Sequence, residues 1–225
     1  MRVVGIAAKG RQVFDRRLGH GVDPRMVAHE AGWVVLRPVE ATLDPEGELR
    51  LVLRVRHRRP ADGRPRTRKP GRDRGLKAGD EQPVVRQRFA AYAVVESGRG
   101  LLATEYSDLT AVSGRWGMPG GGLDDGEEPT DAVIREVHEE TGQAVEVGDL
   151  VLVQSSHWVG RSPRGGVEDF HAVRLVYRAT CPEPTDPVVH DRGGTTESAR
   201  WVPLASWQDL TWTANWRQAL RRLLR

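Results

Sequence analysis

The chain is poor in the features that mark exported, membrane-spanning and disulfide-built proteins. It carries one cysteine, Cys181, so no intramolecular disulfide can form. No apolar run approaches the roughly 18 residues a bilayer span needs. The longest N-terminal apolar stretch, residues 3–8, falls short of an export-signal core of about 7–15 residues. On these grounds the expected address is the cytoplasm, and no membrane partner is expected. Lysine is nearly absent: arginine supplies 31 of the 34 basic side chains, which reads as a compositional bias of the source rather than a functional choice. What is present is ample. The 225 residues are 38% hydrophobic, with a mean hydropathy of −0.52, as in a soluble chain with one domain and a substantial extra.

The net charge of +3 conceals an asymmetry. Residues 1–85 hold 19 Lys and Arg against 11 Asp and Glu, a net of +8. Residues 86–225 hold the remaining 15 against 20, a net of −5. A basic N-terminal appendage on an acidic domain fits that split. Within the appendage, Asp23-Pro24 starts a short helix over 24–31. The apolar, β-branched runs 33–39 and 48–55 flank Asp44-Pro45-Glu46-Gly47 and read as a hairpin. Residues 57–82 then lose every aromatic and nearly all large apolar side chains while carrying nine Lys and Arg from Arg58 to Lys77. Such a segment buries too little to offset its ordering entropy and reads as a flexible basic linker. The expected partition is an extension at 1–56, the linker at 57–82 and a compact mixed domain at 83–225.

In that domain strands are expected at 89–95, 101–106, 150–158, 170–179 and 200–203. An amphipathic helix closes the chain at about 214–224, with Trp216, Leu220, Leu223 and Leu224 on one face. The informative stretch lies between these strands. Three glycines, Gly120 to Gly122, allow close backbone approach to a ligand. They precede Glu127 and a helix over 129–141, with Pro129 at its first position and Gly142 at its stop. At 100° per residue Glu136, Glu139 and Glu140 share an arc of about 100°, while Val133, Ile134 and Val137 face away and can be buried. Three carboxylates this close repel. Arg135 lies at the edge of their arc, and a hard divalent cation, Mg²⁺ or Mn²⁺, would neutralise them. A solvated acidic face explains three glutamates alone, but not the combination with the glycine run, Glu127 and the Arg135-Glu136 to Gly142 block.

The stretch 121–142 resembles the signature of the Nudix hydrolases, G-x5-E-x7-R-E-U-x-E-E-x-G-U. Gly121, Glu127, Arg135, Glu136, Val137, Glu139, Glu140 and Gly142 match at the family's spacing, and Gln143 departs where an aliphatic residue is usual. Trp116 to Pro119 and Arg200 to Pro203 extend the resemblance to roughly 85–225. It implies a mixed-sheet α/β/α sandwich that hydrolyses a nucleoside diphosphate linked to another moiety. It also implies Glu136, Glu139, Glu140 and the Gly120 carbonyl as metal ligands and a Glu127–Arg135 pair joining loop to helix. The general base is left open among Glu136, Glu139, Glu168 and Asp169. A Nudix-fold module that senses a nucleotide without turnover is the alternative, which the full set of glutamates disfavours.

The remaining signals are weaker. Trp158 is as readily a nucleobase platform as a rim or core tryptophan. His138, His157 and His171 read as surface or hydrogen-bonded structural residues, and Cys181 as structural. The basic arm could track a nucleic-acid backbone, a reading weakened by its lack of interleaved aromatics. The hairpin's Trp33, Val34, Val35 and Leu36 need a partner surface, which the domain's own sheet or a homodimer would supply.

Overall fold

The computed structural model describes residues 1–67, 69–76, 82–162, 165–191 and 193–224. It is an α/β protein with two sheets and three helices among these residues. By their contacts the residues fall into two compact units. The first comprises 1–90, 125–128 and 152–175; the second comprises 91–124, 129–151 and 176–225.

In the first unit a four-stranded sheet has the order β2-β1-β4-β3, from β1 (Arg2–Ile6), β2 (Gln12–Arg17), β3 (Trp33–Leu43) and β4 (Leu49–His57). The expected hairpin is β3 and β4, paired antiparallel. Its turn closes as the Asp44 carboxylate accepts from the backbone of Glu46 and Glu48, with Gly47 left-handed at φ 78°. β1 and β2 were not expected. β1 runs parallel to β4, and the bare face of Gly5 receives the ring of Phe14, its partner across the β1–β2 pairing. Val3, Val4, Leu51, Leu53 and Val55 form the buried interior of this sheet. Helix α1 (Pro24–Glu30) starts where expected, the Asp23 side chain accepting from the Arg25 backbone at 2.8 Å.

The segment expected to be a flexible linker is partly structured. Arg56 forms two 2.6 Å bonds with Asp62, and β5 (Gly71–Arg72) pairs in parallel with Trp158 and Val159. Backbone hydrogen bonds, which composition cannot register, hold it there. Arg68 and Lys77 of that segment, and residues 163–164 of the later Gly/Arg loop, lie outside the described residues.

The second sheet has the order β12-β7-β6-β11-β10-β5, with β8 (Trp116–Gly117) on β7 and β9 (Gly120–Gly122) on β6. Its other strands are β6 (Val84–Ser97), β7 (Gly100–Tyr106), β10 (Glu146–Arg161), β11 (Val167–Thr180) and β12 (Thr196–Val202). Parallel pairing of β5 with β10 and antiparallel pairing of β7 with β6 and β12 make it mixed. β6, β10 and β11 each contribute residues to both units. In the second unit α3 (Ala214–Leu223) buries Trp216 and Leu220, and Trp216 donates to the Tyr106 hydroxyl at 3.2 Å. Leu223 and Leu224 are only half-buried.

Helix α2 spans Pro129–Thr141, as its spacing predicts. Its inner face is Ala132, Val133, Val137 and Glu140, and Ile134 is 46% exposed. The expectation that Ile134 is buried is therefore corrected. The packed arc is centred near Val133 and takes in a carboxylate, which turns Ile134 to the rim. Gln143, at the position where an aliphatic residue is usual, is 1% exposed yet fully engaged. Its amide donates to Thr141 and Thr185, and its carbonyl oxygen accepts from the Thr185 backbone at 2.9 Å. Satisfied in this way, a buried amide replaces the aliphatic contact without an orphaned polar group.

Candidate active site

All the box glutamates except Glu127 lie in the second unit, on α2 facing β9. Glu140 is 7% exposed, with one carboxylate oxygen accepting from the Gly120 backbone at 2.9 Å and the other from the Thr196 hydroxyl at 2.5 Å. Burial pushes its carboxyl up to about 7. The two donors oppose that rise, and the nearby charges of Glu136 and Asp191 add to it. Glu136 lies against the bare Cα of Gly121, where a β-carbon would overlap its carboxylate. Gly120, at φ 140°, approaches the backbone of Ala91 and Tyr92 in a conformation that side chains rarely adopt. Gly120 thus lets β9 lie against β6, and Gly121 leaves room for the Glu136 carboxylate of α2.

Arg135 reaches over this face. It donates to Glu136 at 2.9 Å, to Glu139 at 3.2 Å and to the Gly122 carbonyl at 3.1 Å. Glu139 is the most open of the three glutamates, its side chain 45% exposed. Among the described residues, the three do not bring one donor oxygen each within 4.8 Å of one another. Glu127 is half-buried in the 125–128 loop, which groups with the first unit. In that same loop the Glu128 carboxylate accepts from the Leu43 backbone at 3.1 and 3.2 Å.

The donor set fits a hard divalent cation. Its side chains offer only carboxylate oxygens, the donors that hard divalent cations prefer.

A model of the NUDIX domain matches residues 86–223. The chain belongs to the Nudix family. An RNA pyrophosphohydrolase of Rhodopseudomonas palustris is 34% identical over 134 residues, which cover 53% of this chain and 72% of that protein. An RNA pyrophosphohydrolase of Bartonella quintana is 53% identical over 45 residues, and the chain spans only 25% of its length. Among solved structures, the Nudix hydrolase RenU of M. smegmatis is 20% identical, with 61% of this chain and 84% of that chain covered and a TM-score of 0.46. The mixed-sheet α/β architecture is that of the Nudix fold.

Of the other candidates, Trp158, Glu168, Asp169, His157 and His171 lie in the first unit and Cys181 in the second. Glu168 pairs with Arg86 at 3.0 Å. Trp158 is half-buried and tilted against Phe170, their ring centroids 6.0 Å apart. The Asp169 carboxylate accepts from His20 and His157. Cys181 is buried and free, and burial pushes its thiol up, away from a nucleophile's range. His171 is buried, its two ring nitrogens engaged by Gln87 and Ser155, in keeping with a structural role.

Sequence reasoning missed Thr196, Asp191 and His20. Thr196 and Asp191 act on Glu140 from 56 and 51 positions away, and His20 meets Asp169 from 149 away. No motif spacing reaches that far. No described helix is long and apolar enough to cross a membrane.

Proposed function

We propose that this chain hydrolyses the pyrophosphate bond of a nucleoside diphosphate linked to another moiety, using Mg²⁺ or Mn²⁺. Glu136, Glu139, Glu140 and the Gly120 carbonyl would hold the ion. The observation that carries this reading is the fit of β9 against α2, where Gly121 leaves room for the Glu136 carboxylate and Gly120 binds Glu140. When bound, the ion shields the anionic diphosphate and acidifies a water.

The residues divide the remaining work. Gly120 and Thr196 fix Glu140 in a single orientation, so the ligand face is set before substrate arrives. Arg135 holds Glu136 and Glu139 on the same side of the helix and limits their repulsion. Glu139, more exposed at 45% than Glu136, Glu168 or Asp169, takes the proton from the attacking water. Arg135 also donates to the Gly122 carbonyl, so the same guanidinium ties α2 to the glycine strand.

The names of the R. palustris and B. quintana relatives favour a pyrophosphate carried by RNA as one substrate, which the basic N-terminal third suits by charge. The test is phosphate and pyrophosphate release from a panel of nucleoside diphosphate conjugates and a 5′-triphosphorylated RNA oligonucleotide, with Mg²⁺ or Mn²⁺. Metal-dependent turnover of at least one member, lost in Glu136→Gln, is expected. Binding of nucleotides without turnover across the panel would overturn it in favour of a sensing module.

A further inference from the structure

The first unit gathers metal-ligand chemistry that the Nudix box does not use. His20 sits in the loop after β2, His157 on β10 and Asp169 on β11. The Nε2 atoms of both histidines converge on one carboxylate oxygen, Asp169 Oδ1, at 2.8 and 2.5 Å. Among the described residues this is the one trio of histidine, cysteine or acidic side chains whose donor atoms all lie within 4.8 Å of one another. All three residues are half-buried, so the cluster is sheltered yet reachable.

We propose that His20, His157 and Asp169 form a second metal site, which takes a borderline divalent transition ion of the Zn²⁺ type. Two imidazoles and one carboxylate are a donor set that Zn²⁺ accepts and that Mg²⁺ and Ca²⁺ do not favour. Ligand bonds of about 2.0–2.2 Å in a tetrahedron put neighbouring donors about 3.3 Å apart. The observed 2.5 and 2.8 Å contacts therefore need to open by only about 0.5–0.8 Å, with the protons on Nε2 giving way to the ion. His20 can follow such a shift, because among the described residues the Asp169 contact is the one hydrogen bond on its ring, and its other contacts are edge-on against the His157 and His171 rings.

The surroundings are shaped to the cluster. Gly21, left-handed at φ 71°, brings its Cα so close to the His157 ring that a β-carbon there would lie 2.7 Å from Nδ1 and Cε1. Only glycine can both turn the chain after His20 and leave His157 in place. His171, whose ring centroid is 5.7 Å from that of His20 and 6.1 Å from that of His157, stays outside the ligand set. Gln87 and Ser155 occupy its two nitrogens. Three protein ligands leave one coordination position open for water. The ion would join the loop after β2 to β10 and β11.

The test uses the full chain, stripped with chelator and titrated with Zn²⁺ by calorimetry and with Co²⁺ by visible absorption, both in excess Mg²⁺. Co²⁺ separates the two sites: an all-oxygen octahedral box site absorbs weakly, and a four-coordinate site with two imidazoles absorbs strongly. The expected result is one strongly absorbing Co²⁺ equivalent and a rise in melting temperature with Zn²⁺. In His20→Gln and in Asp169→Asn, the strong band should be lost and one Zn²⁺ equivalent should bind at least tenfold more weakly. Lack of the strong band in the unsubstituted protein would overturn the site, a result that needs no variant to fold. So would retention of the band and the affinity in both variants.

Discussion

In the box helix three carboxylates crowd one face and are kept apart: Glu140 is tied to Gly120 and Thr196, and Glu136 and Glu139 to Arg135. In the first unit a single carboxylate, Asp169, draws two imidazoles onto one oxygen. The α2 donors are all carboxylate oxygens, which suit a hard cation, whereas two imidazole nitrogens beside one carboxylate suit the softer ion proposed above. The two regions also differ in origin. The α2 carboxylates come from five consecutive positions, and the His20–Asp169 contact from residues 149 apart. A helix repeats its geometry and makes the first pattern readable, whereas the second exists only once distant strands have met.

The largest effect is expected from cutting the first unit away. A fragment of residues 83–225 loses β5 and His20, with which residues 152–175 group, together with the four-stranded sheet. We expect it to be insoluble or to melt without cooperativity, as judged by solubility and calorimetry. A soluble fragment with full hydrolysis would instead support the partition at residue 83 that composition favours.

Next come Glu136→Gln and Glu140→Gln, each expected to lower kcat by about 10²–10³-fold or more while the fold persists. Steady-state kinetics on purified, folded protein checks this, and near-normal rates in both would remove the ligand assignment.

A third prediction concerns pH. In the metal-free protein the Glu140 carboxyl is raised to about 7 from an ordinary value of 4.5. Between these two values the unfolded chain has released the proton that the folded chain keeps, so stability falls as pH rises. It is greatest below about 4.5, declines through about 7 and is flat beyond, with a total change on the order of 3 kcal/mol. Denaturant unfolding in chelator across this range should show the decline, and Glu140→Gln should flatten it. A profile in Glu140→Gln that matches the unsubstituted protein would show that another group is responsible.

The smallest effect is the most local. Gly121→Ala meets only the end of the flexible Glu136 side chain, so the melting temperature should barely move. Displacing that carboxylate should nonetheless lower kcat about tenfold, a barrier change of about 1.4 kcal/mol. Unchanged kcat would show that Glu136 need not rest against β9.

Sequence alone determined what depends on neighbours along the chain. Helix α2 begins at Pro129 and ends at Thr141 because its proline start, period and glycine stop are all local. The β3–β4 hairpin is read from its Asp44 turn for the same reason. The Nudix resemblance is carried chiefly by residues within one 22-residue window, 121–142. Tertiary structure decided the rest. It buried Glu140 with the core side chains while leaving Ile134 at the rim, satisfied Gln143 through Thr185, and gave β5 a partner in β10. It also brought His20 to Asp169. Burial, like-charge proximity and strand pairing are properties of what lies across a contact, and a linear spacing carries no record of residues that meet only when the chain closes on itself.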